Sequence, residues 1–167
     1  MQKEQFYIAY GSNLNLPQMK YRCPTAQPVG TAEIKDYALL FRGSKTGAYA
    51  TIEPCEGSSV PVMLWKVKEK DESALDRYEG YPRFYEKETI DIELNGETVS
   101  AFVYVMTEGH FLGMPSDSYL KTIEEGYKTA GFNTTVLENA VLQTKEKMEP
   151  EQVNEAEQEK QFGMKWW

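Results

Sequence analysis

The sequence predicts an α+β domain in which a small mixed β-barrel of about six or seven strands is flanked by helices. Three observations carry this expectation. Residues 6–10 and much of 31–107 hold successive runs rich in aromatic and β-branched side chains, the composition of half-buried strands. Asn95-Gly96 separates two alternating runs, the strongest short-range hairpin signal. The apolar spacing then shifts to about four in residues 69–80 and again after Ser116, which is the helical period. Many strands with few places to hide an edge favour closure of the sheet.

The elements follow in order. Residues 6–10 read as a buried strand that stops at Gly11, and residues 14–21 as a short helix with Pro17 in its first turn. Residues 31–43 supply one long strand or two short ones; residues 48–53 and 60–68 are further strands, parted by the turn signal PCEGSS. In residues 69–80, Ala74, Leu75 and Tyr78 share a helical face, and Gly80 is the stop. Residues 84–94 alternate, with Ile90, Ile92 and Leu94 on one face, and residues 98–107 return with apolar side chains on both faces, as a central strand would. Ser116 or Ser118 caps a helix carrying Tyr119, Ile123 and Tyr127, and residues 136–148 form the last helix. The expected organisation is one domain over residues 1–148 and an acidic tail, residues 149–167, ending in Trp166 and Trp167. Those two indoles would dock on the domain, a second subunit or a partner, or else belong to a frayed end.

Composition narrows the function classes. The chain of 167 residues has a net charge of −8 and no basic stripe, so no nucleic-acid partner is expected. No apolar run is long enough to span a bilayer, and MQKEQFYIAYG lacks the basic and apolar regions of a secretory signal. The expectation is therefore a cytoplasmic protein without a membrane partner. Cys23 and Cys55 stand far apart, outside metal-ligand spacing, and read as unpaired thiols. His110 is the single histidine, which leaves a zinc site or a Ser-His-Asp triad poorly supplied.

Two stretches attract chemical interest. FYIAYGSNL, residues 6–14, ends a buried strand at a Gly-Ser-Asn corner. Ser12 lacks the G-x-S-x-G setting of a nucleophile elbow, and the corner lacks the Gly-Lys-Ser/Thr ending of a phosphate loop. An ordinary turn capping the next helix remains open, as does a cradle of backbone amides for a carboxylate or oxyanion. In LDRYEGYPRFYEK, residues 75–87, Glu79 falls at the C-terminal end of a helix, where the macrodipole disfavours an anion. It is either a solvated surface carboxylate or one desolvated by Tyr78, Tyr81, Phe84 and Tyr85, and so raised toward useful proton transfer. Tyr104 and Tyr119 pack in the core or line a site.

Taken in order, YGSNL (10–14), GAYATIEP (47–54), VMLWKV (62–67), LDRYEGYPRFY (75–85), YVMT (104–107) and PSDSYLKTIEEGYKTAGF (115–132) resemble the γ-glutamylcyclotransferase-like family, which includes γ-glutamylamine cyclotransferases and AIG2-like proteins. The resemblance runs from about residue 6 to residue 132; the tail has no counterpart in it. It implies a γ-glutamylcyclotransferase-like fold and a small-molecule γ-glutamyl substrate, cyclised to 5-oxoproline with release of an amine. It further implies Glu79 as general acid/base, Tyr10, Gly11, Ser12, Asn13 and Leu14 as the binding loop, and Tyr85, Tyr104 and Tyr119 as pocket walls. Such an enzyme needs no cofactor and no metal, because the substrate's α-amine is the nucleophile. The competing expectation is a non-catalytic binding module that keeps the pocket for γ-glutamyl or related amino-acid ligands. Oligomeric state is left open.

Overall fold

The strands pair in the order β2-β3-β1-β5-β4 as one mixed sheet of five. They are β1 (Glu4–Ala9), β2 (Gln27–Arg42), β3 (Tyr49–Lys68), β4 (Tyr85–Leu94) and β5 (Glu97–Met106). The helices are α1 (Leu16–Arg22), α2 (Glu69–Glu79), α3 (Asp117–Ala130) and α4 (Thr134–Lys147). This computed structural model describes residues 4–148, so the acidic tail, residues 149–167, lies outside the described residues.

The α+β class holds, whereas the barrel is not closed. No ladder joins the edge strands β2 and β4. Ile34 and Tyr37 face Ile90 and Ile92 across a cleft of about 340 Å³ instead. The strand count is also lower than expected, because the two strands expected at 48–53 and 60–68 run together as the single strand β3, Tyr49–Lys68. PCEGSS is not a turn between strands. Pairing steps from Tyr37↔Pro54 to Lys35↔Ser59, so a β3 bulge lies opposite Asp36. Left-handed backbone at Asp36 (φ 64°) and Gly57 (φ 85°) absorbs the extra residues. The Gly57 N–H donates to Asp36 Oδ1 at 3.0 Å and holds the bulge shut.

Strand β1 is the centre of the sheet, antiparallel to β3 and parallel to β5. Flanked on both sides, it buries Tyr7, Ile8, Ala9 and Tyr10. The expectation of a buried first strand is met, as is that of an interior β5, where Ala101, Phe102, Val103 and Tyr104 are buried in succession. The 3-10 turn Ser12–Leu14 links β1 to α1, and Asn15 caps α1 by accepting from Gln18 N–H at 3.1 Å. Helix α2 ends with Gly80 left-handed (φ 68°), and Tyr81 N–H returns to the Asp76 carbonyl at 2.9 Å. Ser116 caps α3 by accepting from Tyr119 N–H at 3.3 Å. Cys23 and Cys55 are both free thiols. Among the described residues, no helix is long and apolar enough to cross a membrane.

Candidate active site

The C-terminal end of β1 and the C-terminal end of α2 open onto one cavity of about 340 Å³. Its wall includes Tyr10, Gly11, Ser12 and Asn13 from the first segment and Tyr78, Glu79 and Gly80 from the second. Tyr85, Tyr104 and Tyr119 complete it from β4, β5 and α3. The structure therefore gathers eight of the nine expected site residues around one space. Leu14 is the exception. It is 1% exposed, and its side chain belongs to the hydrophobic core.

The turn after β1 is held from below. A Cβ at Gly126 of α3 would come within 2.7 Å of the Leu14 backbone, so α3 touches the turn at a distance only glycine permits. Asn15 Nδ2 donates to the Thr122 carbonyl at 3.1 Å and to Glu125 Oε2 at 3.2 Å, a second tie to the same helix. Within the turn, Leu14 N–H donates to the Gly11 carbonyl and Asn15 N–H to that of Ser12, each at 3.0 Å. The amides of Ser12 and Asn13 precede these bonds and have no acceptor among the described residues. Leading amides of a helical turn are intrinsically unpaired and suit an anion.

The reading of Ser12 as a nucleophile loses its base. Ser12 Oγ pairs with Tyr78 OH at 2.9 Å. His110 lies elsewhere, at 2.9 Å from Thr107 Oγ1 and stacked edgewise on Phe84.

The tyrosines are wall groups with fixed partners. Tyr10 OH donates to the Tyr104 carbonyl at 2.7 Å and Tyr85 OH to the Ala50 carbonyl at 2.6 Å. Tyr119 OH accepts from Ala50 N–H at 3.0 Å, so two tyrosines hold the backbone of one β3 residue from either side. Tyr104 OH donates to Asp76 Oδ1 at 2.6 Å, and Lys87 Nζ meets the same oxygen at 3.0 Å. Burial raises the pKa of Tyr10, Tyr85, Tyr104 and Tyr119 above their ordinary 10.

Glu79 differs. Its carboxylate has no hydrogen bond or ion pair with any described residue, although it lines the cavity. Burial pushes its pKa from the ordinary 4.5 up to about 7, while the Arg22 guanidinium pulls the other way. The left-handed Gly80 turns the chain away just after Glu79, which leaves the carboxyl at the cavity wall. Of the two expected settings, a solvated surface or an aromatic cover, Glu79 is half-buried beside Tyr78 and Tyr85.

Sequence reasoning passed over Tyr7, Ile8, Tyr49, Ala50 and Arg77, which also line the cavity, whereas Phe84, expected beside Glu79, is part of its wall. Tyr49 packs edgewise on Phe84 and Tyr119 at centroid distances of 5.9 and 5.2 Å. The quoted GAYATIEP contains Tyr49 and Ala50 and was the available signal. Among the described residues, no three His, Cys, Asp or Glu side chains gather in a metal-binding group.

The pattern of the "Gamma-glutamyl cyclotransferase, AIG2-like" family matches residues 7–127. The chain is 31% identical over 135 residues to a gamma-glutamylcyclotransferase of Bos taurus, covering 75% of this chain and 71% of that one. A gamma-glutamylcyclotransferase of Homo sapiens matches with the same identity and coverage, 31%, 75% and 71%. A solved structure of a gamma-glutamyl cyclotransferase superposes with a TM-score of 0.74 at 27% identity, over 89% of either chain. The cavity between the β1 turn and the end of α2 thus sits within the matched segment, and the chain belongs to the gamma-glutamyl cyclotransferase, AIG2-like family, as an enzyme of the cyclotransferase type.

Proposed function

We propose that this protein cyclises γ-glutamyl amides or peptides, with Glu79 as the group that moves the proton. The single observation that carries the assignment is a carboxyl without a partner among the described residues, raised to about 7, on the wall of a cavity also lined by Ser12 and Asn13, whose amides have no acceptor among those residues.

The substrate brings its own nucleophile. Its α-amine attacks its γ-carbonyl, a C–N bond forms in a five-membered ring, and the original amide C–N bond breaks. The products are 5-oxoproline and the free amine; no water is consumed. Holding both ends of such a chain in a cyclising geometry is the main demand, since well-oriented intramolecular reactions reach effective molarities of about 10⁵–10⁸ M. In this reading Glu79 takes a proton from the α-ammonium and returns one to the leaving nitrogen. Gly11, Ser12 and Asn13 hold the α-carboxylate or the tetrahedral oxyanion through backbone N–H groups. A single donor of the latter kind is typically worth about 2.7–4 kcal/mol. Tyr10, Tyr85, Tyr104 and Tyr119 shape the walls. Leu14 serves by anchoring the turn from the core rather than by touching substrate.

The test is Glu79→Gln, nearly the same shape without the base. Formation of 5-oxoproline from a panel of γ-glutamyl amides is expected to be lost while the protein stays folded. Undiminished turnover by the folded variant would remove Glu79 from the role. Binding without turnover by the unaltered protein would favour the non-catalytic module.

A further inference from the structure

Arg22 is the last residue of α1, and a side chain there has no obvious business with the end of α2. Yet its guanidinium carbon lies 3.4 Å from the centroid of the Tyr78 ring, stacked on its face. Its Nη1 donates to Asn13 Oδ1, and its Nη2 donates to Gln18 Oε1 at 3.1 Å. Asn13 is only 2% exposed, so its oxygen needs a protein donor; its Nδ2 already donates to Tyr7 OH at 2.9 Å. Tyr78 OH in turn meets Ser12 Oγ at 2.9 Å. The contacts form a closed circuit: Ser12 and Asn13 of the turn, Arg22 of α1, Tyr78 of α2, and back to Ser12. Glu79 is the next residue after Tyr78.

We propose that Arg22 is a positioning residue that clamps the binding turn to the helix end carrying Glu79. The inference rests on reading Glu79 as the proton-transfer group. An ordinary surface arginine packed on a tyrosine would explain the stacking, but not the bond to buried Asn13 or the closure through Ser12. Arginine suits this place because its planar fork can stack and donate along its edge at once, which an ammonium cannot.

The groups facing Glu79 come from every neighbouring element. Tyr7 of β1, Tyr10 just after it, Tyr85 of β4 and Tyr119 of α3 all feel its charge. Burial raises their pKa values, so they stay neutral through the working range. Arg77 and Tyr78 line the cavity from Glu79's own helix. Arg22 is the cation that opposes the burial of Glu79.

Two substitutions separate charge from shape. Arg22→Gln removes the charge and shortens the side chain, leaving an uncharged amide. Arg22→Lys keeps the charge but removes the fork and the flat face. The pH dependence of kcat/KM is measured with L-γ-glutamyl-L-alanine, and the Glu79 carboxyl is titrated by ¹³C NMR. Arg22→Gln is expected to move both the acid limb and the Glu79 titration upward, by about half a pH unit or more. Arg22→Lys is expected to leave both near their original place while raising KM several-fold. An unmoved Glu79 titration in Arg22→Gln, or an unchanged KM in Arg22→Lys, would overturn the clamp as a device acting on the site. Should Glu79→Gln prove active, the proton-transfer reading fails on its own, and the NMR titration still decides whether Arg22 acts on Glu79.

Discussion

Tyr85 and Glu79 line the same cavity, and burial pushes both pKa values upward, yet the consequences are opposite. A phenol starts near 10 and is carried farther from neutrality, which fixes it as a neutral hydrogen-bonding group. A carboxyl starts at 4.5 and is carried to about 7, into the range where it can both take and return a proton. The hydrogen bonds follow the same division. Tyr10, Tyr85, Tyr104 and Tyr119 each have a protein partner, whereas Glu79 has none among the described residues. One physical effect, desolvation, therefore keeps the tyrosines as neutral walls and brings the glutamate into the range that its proposed role as proton shuttle needs.

The sharpest way to break this comparison is the pH profile. With Glu79 as base, kcat/KM rises as pH passes through about 7, because the ionised carboxylate is the active form. Glu79→Gln is expected to lower kcat by about 10²–10⁴-fold and to abolish that limb. Tyr85→Phe is expected to keep the limb in place. A Tyr85→Phe enzyme whose limb moves as far as that of an Arg22 variant would dissolve the distinction between wall and shuttle.

What could be read from the sequence follows from how local each cause is. Gly80, Asn95-Gly96 and Ser116 act on their own neighbours, and the helix stop, hairpin and cap stand where they were expected. PCEGSS misleads because its strand character depends on Asp36, about twenty residues away, whose carboxylate holds Gly57 in the bulge. Closure fails for a similar reason: whether β2 and β4 meet depends on the curvature of the whole sheet, which no alternating run encodes. In the site, Glu79 and Tyr10 to Asn13 were legible because each lies in a compact motif. Leu14 belongs to the same YGSNL motif that the resemblance assigns to the binding loop, although its side chain packs in the core. Arg22 carries no signal in the sequence, because its partner Tyr78 is brought to it only by the tertiary fold.

The support beneath the turn can be challenged next. Gly126→Ala would place a methyl 2.7 Å from the Leu14 backbone and 2.9 Å from Asn15 N. Backbone cannot yield as a flexible side chain does, so α3 and the turn must separate. A loss of about 3 kcal/mol in denaturant unfolding is expected, together with a raised KM. An equally stable Gly126→Ala protein with unchanged KM would mean that the turn does not depend on α3.

A smaller effect is expected from a wall hydroxyl. Tyr119→Phe removes the acceptor of Ala50 N–H and leaves that amide buried without a partner. The expected loss is about 1–2 kcal/mol in urea unfolding, with the acid limb of the rate profile unmoved.

The smallest effect bears on Glu79 itself and runs against intuition. A carboxyl whose folded pKa is raised favours the folded state while protonated. Its contribution is fully present below the unfolded value near 4.5 and is lost as pH rises through about 7. Ionising this group therefore destabilises the protein at neutral and alkaline pH. Glu79→Gln cannot ionise and escapes that penalty. Partial access to water through the cavity mouth discounts the effect, leaving an expected gain of about 1 kcal/mol at pH 8 and none at pH 4. Thermal unfolding of both proteins across that range gives the answer. A variant less stable than the original at pH 8, with no trend against pH, would show that Glu79 is satisfied in the folded state and not held ready for a substrate.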